Sequence, residues 1–334
     1  MRIRHTATAT AATAALLALS ACGNGDGDGG GNGDDGDYTE DLTFATGGTG
    51  GAYYPLGGEL SAIFESETDA SVNYVESGGS VENLGQILQG DAQLGMTQND
   101  TAADAINGDL DISEDGEDEE FISVDNLGWI ANLYPEAMHI VVTEDSGIES
   151  VEDLDGQTIA VGDVGSGTRA ISDAILEHYD IDYTAEETEF GDSTEMLADG
   201  QIDASMFVVG VPVASLTQLA ETTDVNLLSM EEGEAEEIAE GGFYEAYTIE
   251  SDAYGFLEED VTTLSVFAAL VASTDEVSED LAYDITAALF DNIDQITVDQ
   301  GASIDIEEAF NGLGDIPLHP GAERYFEEND IEVP

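Results

Sequence analysis

The residues best suited to chemistry begin at Thr46-Gly47-Gly48-Thr49-Gly50-Gly51-Ala52-Tyr53-Tyr54-Pro55. A short apolar strand pattern, Leu42-Thr43-Phe44-Ala45, precedes them, and an amphipathic run over 56–64 follows. That order reads as strand, glycine-rich turn and helix start. The first N–H groups of a helix lack intrahelical partners and sit at the positive end of its dipole, so such a turn suits an anionic group. The glycines let the backbone approach a ligand closely. The design recurs at Ser77-Gly78-Gly79-Ser80-Val81-Glu82-Asn83-Leu84, after a strand-like 72–75. It recurs again at Gly165-Ser166-Gly167-Thr168-Arg169, after a strand-like 158–161. The expectation is that the three loops meet around one small ligand.

Each candidate residue has a plainer reading beside it. Thr49, Gly50, Gly51 and Tyr53 are read as ligand-binding; the alternative is a structural turn with Tyr53 in the core. Ser80 either faces the cleft or caps its helix, and Asn83 goes with it. Gln98 could hold a carboxylate or amide, whereas Asp100 reads better as a helix N-cap. Tyr134 lines a cleft or packs at a hinge. Ser166, Gly167, Thr168 and Arg169 are the sharpest group. Gly165-x-Gly167-x-x-Ala170 formally matches a dinucleotide fingerprint, but no ribose-binding acid follows, and an anion site at a helix start is simpler. Arg169 is either a carboxylate clamp or half of a surface ion pair. Gly210, in Val209-Gly210-Val211-Pro212, either presents backbone groups to the ligand or makes a turn.

These loops need strands before them and helices after them. Strand patterns fall at 42–45, 72–75, 94–97, 140–143, 158–161, 204–209 and 225–228. Helical patterns fall at 56–64, 81–88, 101–106, 168–178, 194–197, 213–220 and 281–296. This alternation predicts an α/β fold with largely parallel sheets, whose ligands sit beyond the carboxyl ends of the strands. Asn132-Leu133-Tyr134-Pro135-Glu136 interrupts two apolar runs and reads as a crossing between lobes. A second crossing is expected over 243–254. The boundaries are then 42–134 plus 250–334 for lobe 1 and 135–249 for lobe 2, with a cleft that closes by hinge motion.

Composition narrows the function. The chain has 334 residues, 75 acidic against 4 basic, and a net charge of −71. Such a surface repels itself in dilute salt, but at molar salt the screening length falls to ~3 Å. A very salty milieu is the simplest account. A nucleic-acid partner is excluded in practice, because four arginines and no lysine cannot build a basic patch. Acidic runs such as 114–120 read as solvated surface rather than cation sites.

Residues 1–21 carry Arg2 and Arg4, a short apolar run and then Leu19-Ser20-Ala21-Cys22, a secretory pattern whose end resembles a lipobox. Cys22, the only cysteine, is the expected lipidation site, anchoring the protein to the outer face of the membrane. Residues 22–41 follow as a Gly/Asp linker. Asn24, Asp26, Asp28, Gly29 and Asp35 formally match a calcium loop, but the flanking helices of an EF-hand are absent from the pattern, so a tether explains them better.

The chain resembles the TAXI family, the solute-binding subunits of TRAP transporters. The matching stretches are 46–54, 77–84, 97–100, 131–136, 162–168, 199–204 and 317–322, spread over about residues 42 to 328 in the family's order. The resemblance implies a two-lobed periplasmic-binding-protein-like fold (type II), with two crossover segments and each lobe a mainly parallel sheet flanked by helices. It implies capture of a small carboxylate or amino acid of the glutamate or 2-oxoglutarate kind. It also implies delivery to TRAP membrane permease subunits. Ala52 stands where many members have a hydroxyl residue.

An enzyme, such as a surface hydrolase, is the main rival class. Without lysine there is no phosphate-binding loop of the lysine type and no Schiff-base chemistry, and no Gly-x-Ser-x-Gly elbow occurs. His139, His178 and His319 lack metal-ligand spacing. No cofactor and no metal are expected. A structural or adhesive lipoprotein should show repeats, and none is found.

Overall fold

The computed structural model describes residues 38–112, 121–240 and 243–334. The leader, Cys22, the calcium-loop match and the 114–120 run lie outside the described residues. The strands are β1 (Asp41–Ala45), β2 (Ser71–Val75), β3 (Leu94–Gln98), β4 (Leu110–Asp111), β5 (Phe121–Ile122), β6 (Leu127–Thr143), β7 (Thr158–Ala160), β8 (Thr184–Glu186), β9 (Ala204–Gly210), β10 (Val225–Leu227), β11 (Glu245–Ile249) and β12 (Val261–Ser273). The helices are α1 (Tyr53–Glu67), α2 (Ser80–Gln89), α3 (Asn99–Asn107), α4 (Thr168–His178), α5 (Phe190–Ala198), α6 (Ala214–Ala220), α7 (Glu232–Ala239), α8 (Glu279–Asp291) and α9 (Pro320–Glu328).

The main sheet runs β2-β1-β3-β12-β6-β9-β7-β8, with β10 added on β6 and β11 on β12. Its outer groups, β2-β1-β3 and β9-β7-β8, are parallel, as strands joined by crossover helices must be. Between them β12 and β6 run antiparallel to each other, β12 antiparallel to β3, and β6 antiparallel to β9. The arrangement is an α/β fold with helices packed on a curled sheet.

Burial explains why these residues take these places. In β6 all but Pro135 and Thr143 are buried, so the strand reads as an apolar run rather than an alternation. Helix α1 buries Tyr53, Leu56, Leu60, Ile63 and Phe64 at helical spacing. Each such large apolar side chain contributes about 1.5–3 kcal/mol when fully buried.

The Asn132–Glu136 stretch lies inside β6, where the strand changes neighbours. Residues Leu127 to Ala137 pair with β12, and Glu136 to Val142 pair with β9. Pro135 sits opposite Phe267, whose N–H donates to Asn99 Oδ1 at 2.8 Å. The 243–254 segment holds β11 and a turn; the strand that stands between the two parallel groups beside β6 is β12, later in the chain. No strand was expected there, because its alanines and two-sided burial hide the alternation.

Candidate functional site

The three glycine-rich turns line one cavity of about 90 Å³, several times the roughly 10–15 Å³ that one water needs. The β1–α1 turn contributes Gly47, Gly48, Gly50, Gly51, Ala52 and Tyr53. No side chain caps α1, and Gly51, Ala52 and Tyr53 at the start of this helix line the cavity. The β2–α2 turn contributes Gly78, Gly79 and Ser80. Gly79 has φ +122°, which only glycine adopts without strain. N–H groups of every turn find acceptors within the protein: Gly78 donates to Glu82 Oε2 at 2.7 Å and Gly79 to Ser77 Oγ at 3.2 Å, Gly51 to Gly48 O at 3.1 Å, Ser166 to Asp163 O at 2.9 Å and Thr168 to Ser166 Oγ at 3.1 Å. The β7–α4 turn contributes Gly162, Asp163, Ser166, Gly167 and Thr168.

The second and third turn regions touch each other, and the first meets helix α6. Glu82 N–H donates to Gly165 O at 3.2 Å, and Ser215 Oγ donates to Gly50 O at 2.7 Å. A Cβ on Gly50 would lie 3.0 Å from the Gly191 backbone, and one on Gly167 would strike Gln98 Oε1 at 2.0 Å. The glycines therefore permit close approach of the two sides, beyond bending the chain.

A polar cluster forms the floor. Glu136, 2% exposed, accepts from Tyr53 Oη at 2.8 Å and from Gln98 Nε2 at 3.2 Å, both at Oε2. Burial pushes the Glu136 carboxyl up to about 8, against the lowering pull of those hydrogen bonds. Burial, then Glu136, pushes the Tyr53 hydroxyl well above its ordinary value, and Tyr134 follows for the same reasons. Ser80 Oγ accepts from Gln98 N–H at 3.0 Å, fixing Gln98 beside the cluster. At the mouth, burial and then Glu76 and Asp163 raise the Glu189 carboxyl.

Of the residues singled out from sequence, Gly50, Gly51, Tyr53, Ser80, Gln98, Ser166, Gly167 and Thr168 line the cavity. Thr49 is exposed and outside the lining. Asn83 is buried behind it, donating to Thr46 O and Met96 O at 2.7 Å each and accepting from Ser77 Oγ at 2.6 Å; it brackets strand ends. Tyr134 is buried beside Glu136, outside the lining, and Gly210 packs against Tyr134 and Gln300. Arg169 also lies outside the lining. It pairs with Asp173 at 2.8 Å and with Glu187 at 2.5 Å, because an arginine among so many acids meets carboxylates before a cleft. Asp100 does not cap α3, whose cap position is Gln98; its Oδ1 accepts from Thr101 N–H at 2.7 Å, and burial pushes its carboxyl up to about 6.

The sequence pattern of the NMT1-like family matches residues 44–329, nearly all of the described chain. The chain belongs to the NMT1-like family. Among solved structures this NMT1-like chain is similar to MatC from Rhodopseudomonas palustris with bound malate, at 14% identity over 87% of this chain and 96% of that one, TM-score 0.54. It is also similar to the alkanesulfonate-binding protein SsuA from Xanthomonas axonopodis pv. citri bound to MOPS, at 16% identity over 87% and 84%, TM-score 0.50. Likeness at these identities shows the fold, which is that of type II periplasmic solute-binding proteins.

The NMT1-like chain also builds its cavity from residues not singled out beforehand. Glu136 had a visible signal, an acid inside the apolar run of β6. The β8–α5 turn, with Thr188, Glu189, Phe190 and Gly191, forms a fourth side. Phe190 packs on Phe207 of β9 with ring centroids 3.6 Å apart. β8 is short, acidic and half-exposed, so no strand pattern announced this turn. Outside the cavity, His178 on α4 and Glu234 and Glu237 on α7 bring ligand-type atoms within 4.8 Å of one another, a grouping that spacing along the chain does not show.

Proposed function

We propose that this chain is an extracytoplasmic solute-binding protein that captures a small carboxylate or amino acid. We further propose that it is the TAXI-type subunit of a TRAP-type secondary transporter, held to the outer face of the membrane through Cys22. The observation that carries the reading is the cavity itself: small, rimmed by peptide groups at helix starts, and closed by glycine contacts between the two parallel strand groups. MatC, of the same fold, holds malate. The seven stretches of family resemblance, in order along the chain, support TRAP delivery.

Thermal unfolding in molar salt with a panel of small acids and amino acids tests the capture. A bound solute at a hundred times its dissociation constant raises stability by about 2.7 kcal/mol; no response from any member refutes it. Transport by reconstituted permease subunits that needs an ion gradient supports TRAP delivery, and a requirement for ATP hydrolysis refutes that part alone. Cys22→Ser should shift the protein from the membrane fraction to the medium; unchanged fractionation refutes the anchor.

A further inference from the structure

No lysine, arginine or histidine lines the cavity, while three carboxyl residues do. Asp163 and Glu189 are half-exposed and can stay hydrated. Glu136 cannot. It is buried, it faces the cavity floor, and its hydrogen-bond partners are a phenol and an amide rather than a cation. Beside it Gln98 Oε1 is enclosed against Gly167, and Tyr134 adds a second buried phenol next to the carboxyl. The floor thus offers Glu136 neutral donors but no countercharge, and a buried carboxylate without one is costly. A protonated amine supplies three donors and the missing positive charge in one group.

Resting on the solute-binding reading, we propose that the guest is a zwitterionic amino acid whose ammonium is taken by Glu136, while its carboxylate is held by peptide N–H groups at the start of α1. Glu136 is then the residue that separates amino acids from amine-free acids of the same length. The rim selects for the acid and the floor for the amine. The carboxyl's raised proton affinity is the cost of burial in the absence of such a partner.

Isothermal titration of the full chain in molar salt tests this with matched pairs: glutamate against 2-oxoglutarate and glutarate, aspartate against malate and succinate, alanine against lactate. One amine-bearing member should bind, and its amine-free partners should bind at least ~100-fold more weakly, because a site built around hydrogen bonds rejects a guest that leaves them unmade. In Glu136→Gln that ratio should fall to about tenfold or less, since one neutral hydrogen bond replaces a charged pair. An amine-free acid that binds as tightly as its partner overturns the proposal, and so does a Glu136→Gln variant that keeps the parent ratio. Binding of dicarboxylates alone overturns the amine assignment and leaves the solute-binding reading standing. Binding of neither class overturns both. The paired comparison uses the unaltered protein, so it decides even if the variant fails to fold.

Discussion

Glu136 and His139 lie three positions apart on β6; both are buried and both can titrate, yet their surroundings are opposite in kind. His139 is complete. Its Nδ1–H donates to Ala137 O at 2.8 Å, and its Nε2 accepts from Tyr254 Oη, also at 2.8 Å. Tyr254 Oη in turn accepts from Val213 N–H at 3.0 Å. The carbonyl can only accept, which fixes the tautomer, and a neutral ring satisfies the whole chain. Burial holds its pKa down at about 4. Glu136 has only neutral partners, no countercharge and an open side on a cavity. A buried polar group whose partners all lie within the protein specifies a fold. One whose complement is unfinished marks a site.

Four changes would break or sharpen that contrast. His139→Ala should lose the most stability, about 3 kcal/mol, from a vacated ring site against Phe207 and an orphaned Tyr254 hydroxyl. Denaturant unfolding checks it, and a variant as stable as the parent would erase the contrast. Its solute affinity should fall far less than that of Glu136→Gln, although Phe207, which His139 backs, is part of the cavity wall.

Next comes pH, where the two groups act with opposite sign. Unfolded Glu136 loses its proton near 4.5 and the folded group only near 8. Its stabilising proton is therefore fully effective below 4.5 and is lost as pH rises through 8. Folded His139 titrates near 4 and the unfolded ring near 6.5, so its contribution is full above 6.5 and is lost as pH falls towards 4. Asp100, near 6, and His319, near 4, titrate mainly below 6.5 in the folded protein. Without solute, unfolding free energy should drop by about 1 kcal/mol between pH 6.5 and 8, the loss at Glu136 being partly offset as the unfolded rings of His139 and His319 give up their protons. The profile of Glu136→Gln should not fall there. A level profile in the parent would mean that Glu136 is ionised when folded.

At pH 7 and without solute, Glu136→Gln itself should change stability by no more than about 1 kcal/mol, because a neutral amide replaces a carboxyl that is held neutral. A loss as large as that from His139→Ala would make Glu136 a residue of the fold instead. The smallest effect belongs to Arg169→Ala. Its ion pairs are partly exposed, so stability should move by less than about 1 kcal/mol. Solute affinity should stay the same, and a tenfold loss would return Arg169 to the site.

Much of this was legible in the chain. Strand, glycine and helix order placed β1–α1, β2–α2 and β7–α4, because period and turn chemistry are local properties. Seven cavity-lining residues were named on that basis, and Gln98 from its place at the end of β3. The misses were of position. β12 lacks alternation because it is buried on both sides, Asn83, Tyr134 and Gly210 stand one layer behind the surface they were assigned to, Thr49 is exposed, and Arg169 is held by carboxylates outside the cavity. Residue type reports what a side chain can bind, but not which side of a sheet edge it faces.

What the amino-acid sequence determined by itself was the charge of the surface, the α/β alternation and the turns that expose peptide N–H groups. Those follow from composition and from neighbours along the chain. Only the tertiary structure decided which distant groups meet. It paired Arg169 with Glu187 and left Glu136 buried without a cation. The physical reason is that electrostatic and hydrogen-bond partners are chosen by distance in space, and β6 brings an acid from the middle of the chain under the rim built by its beginning.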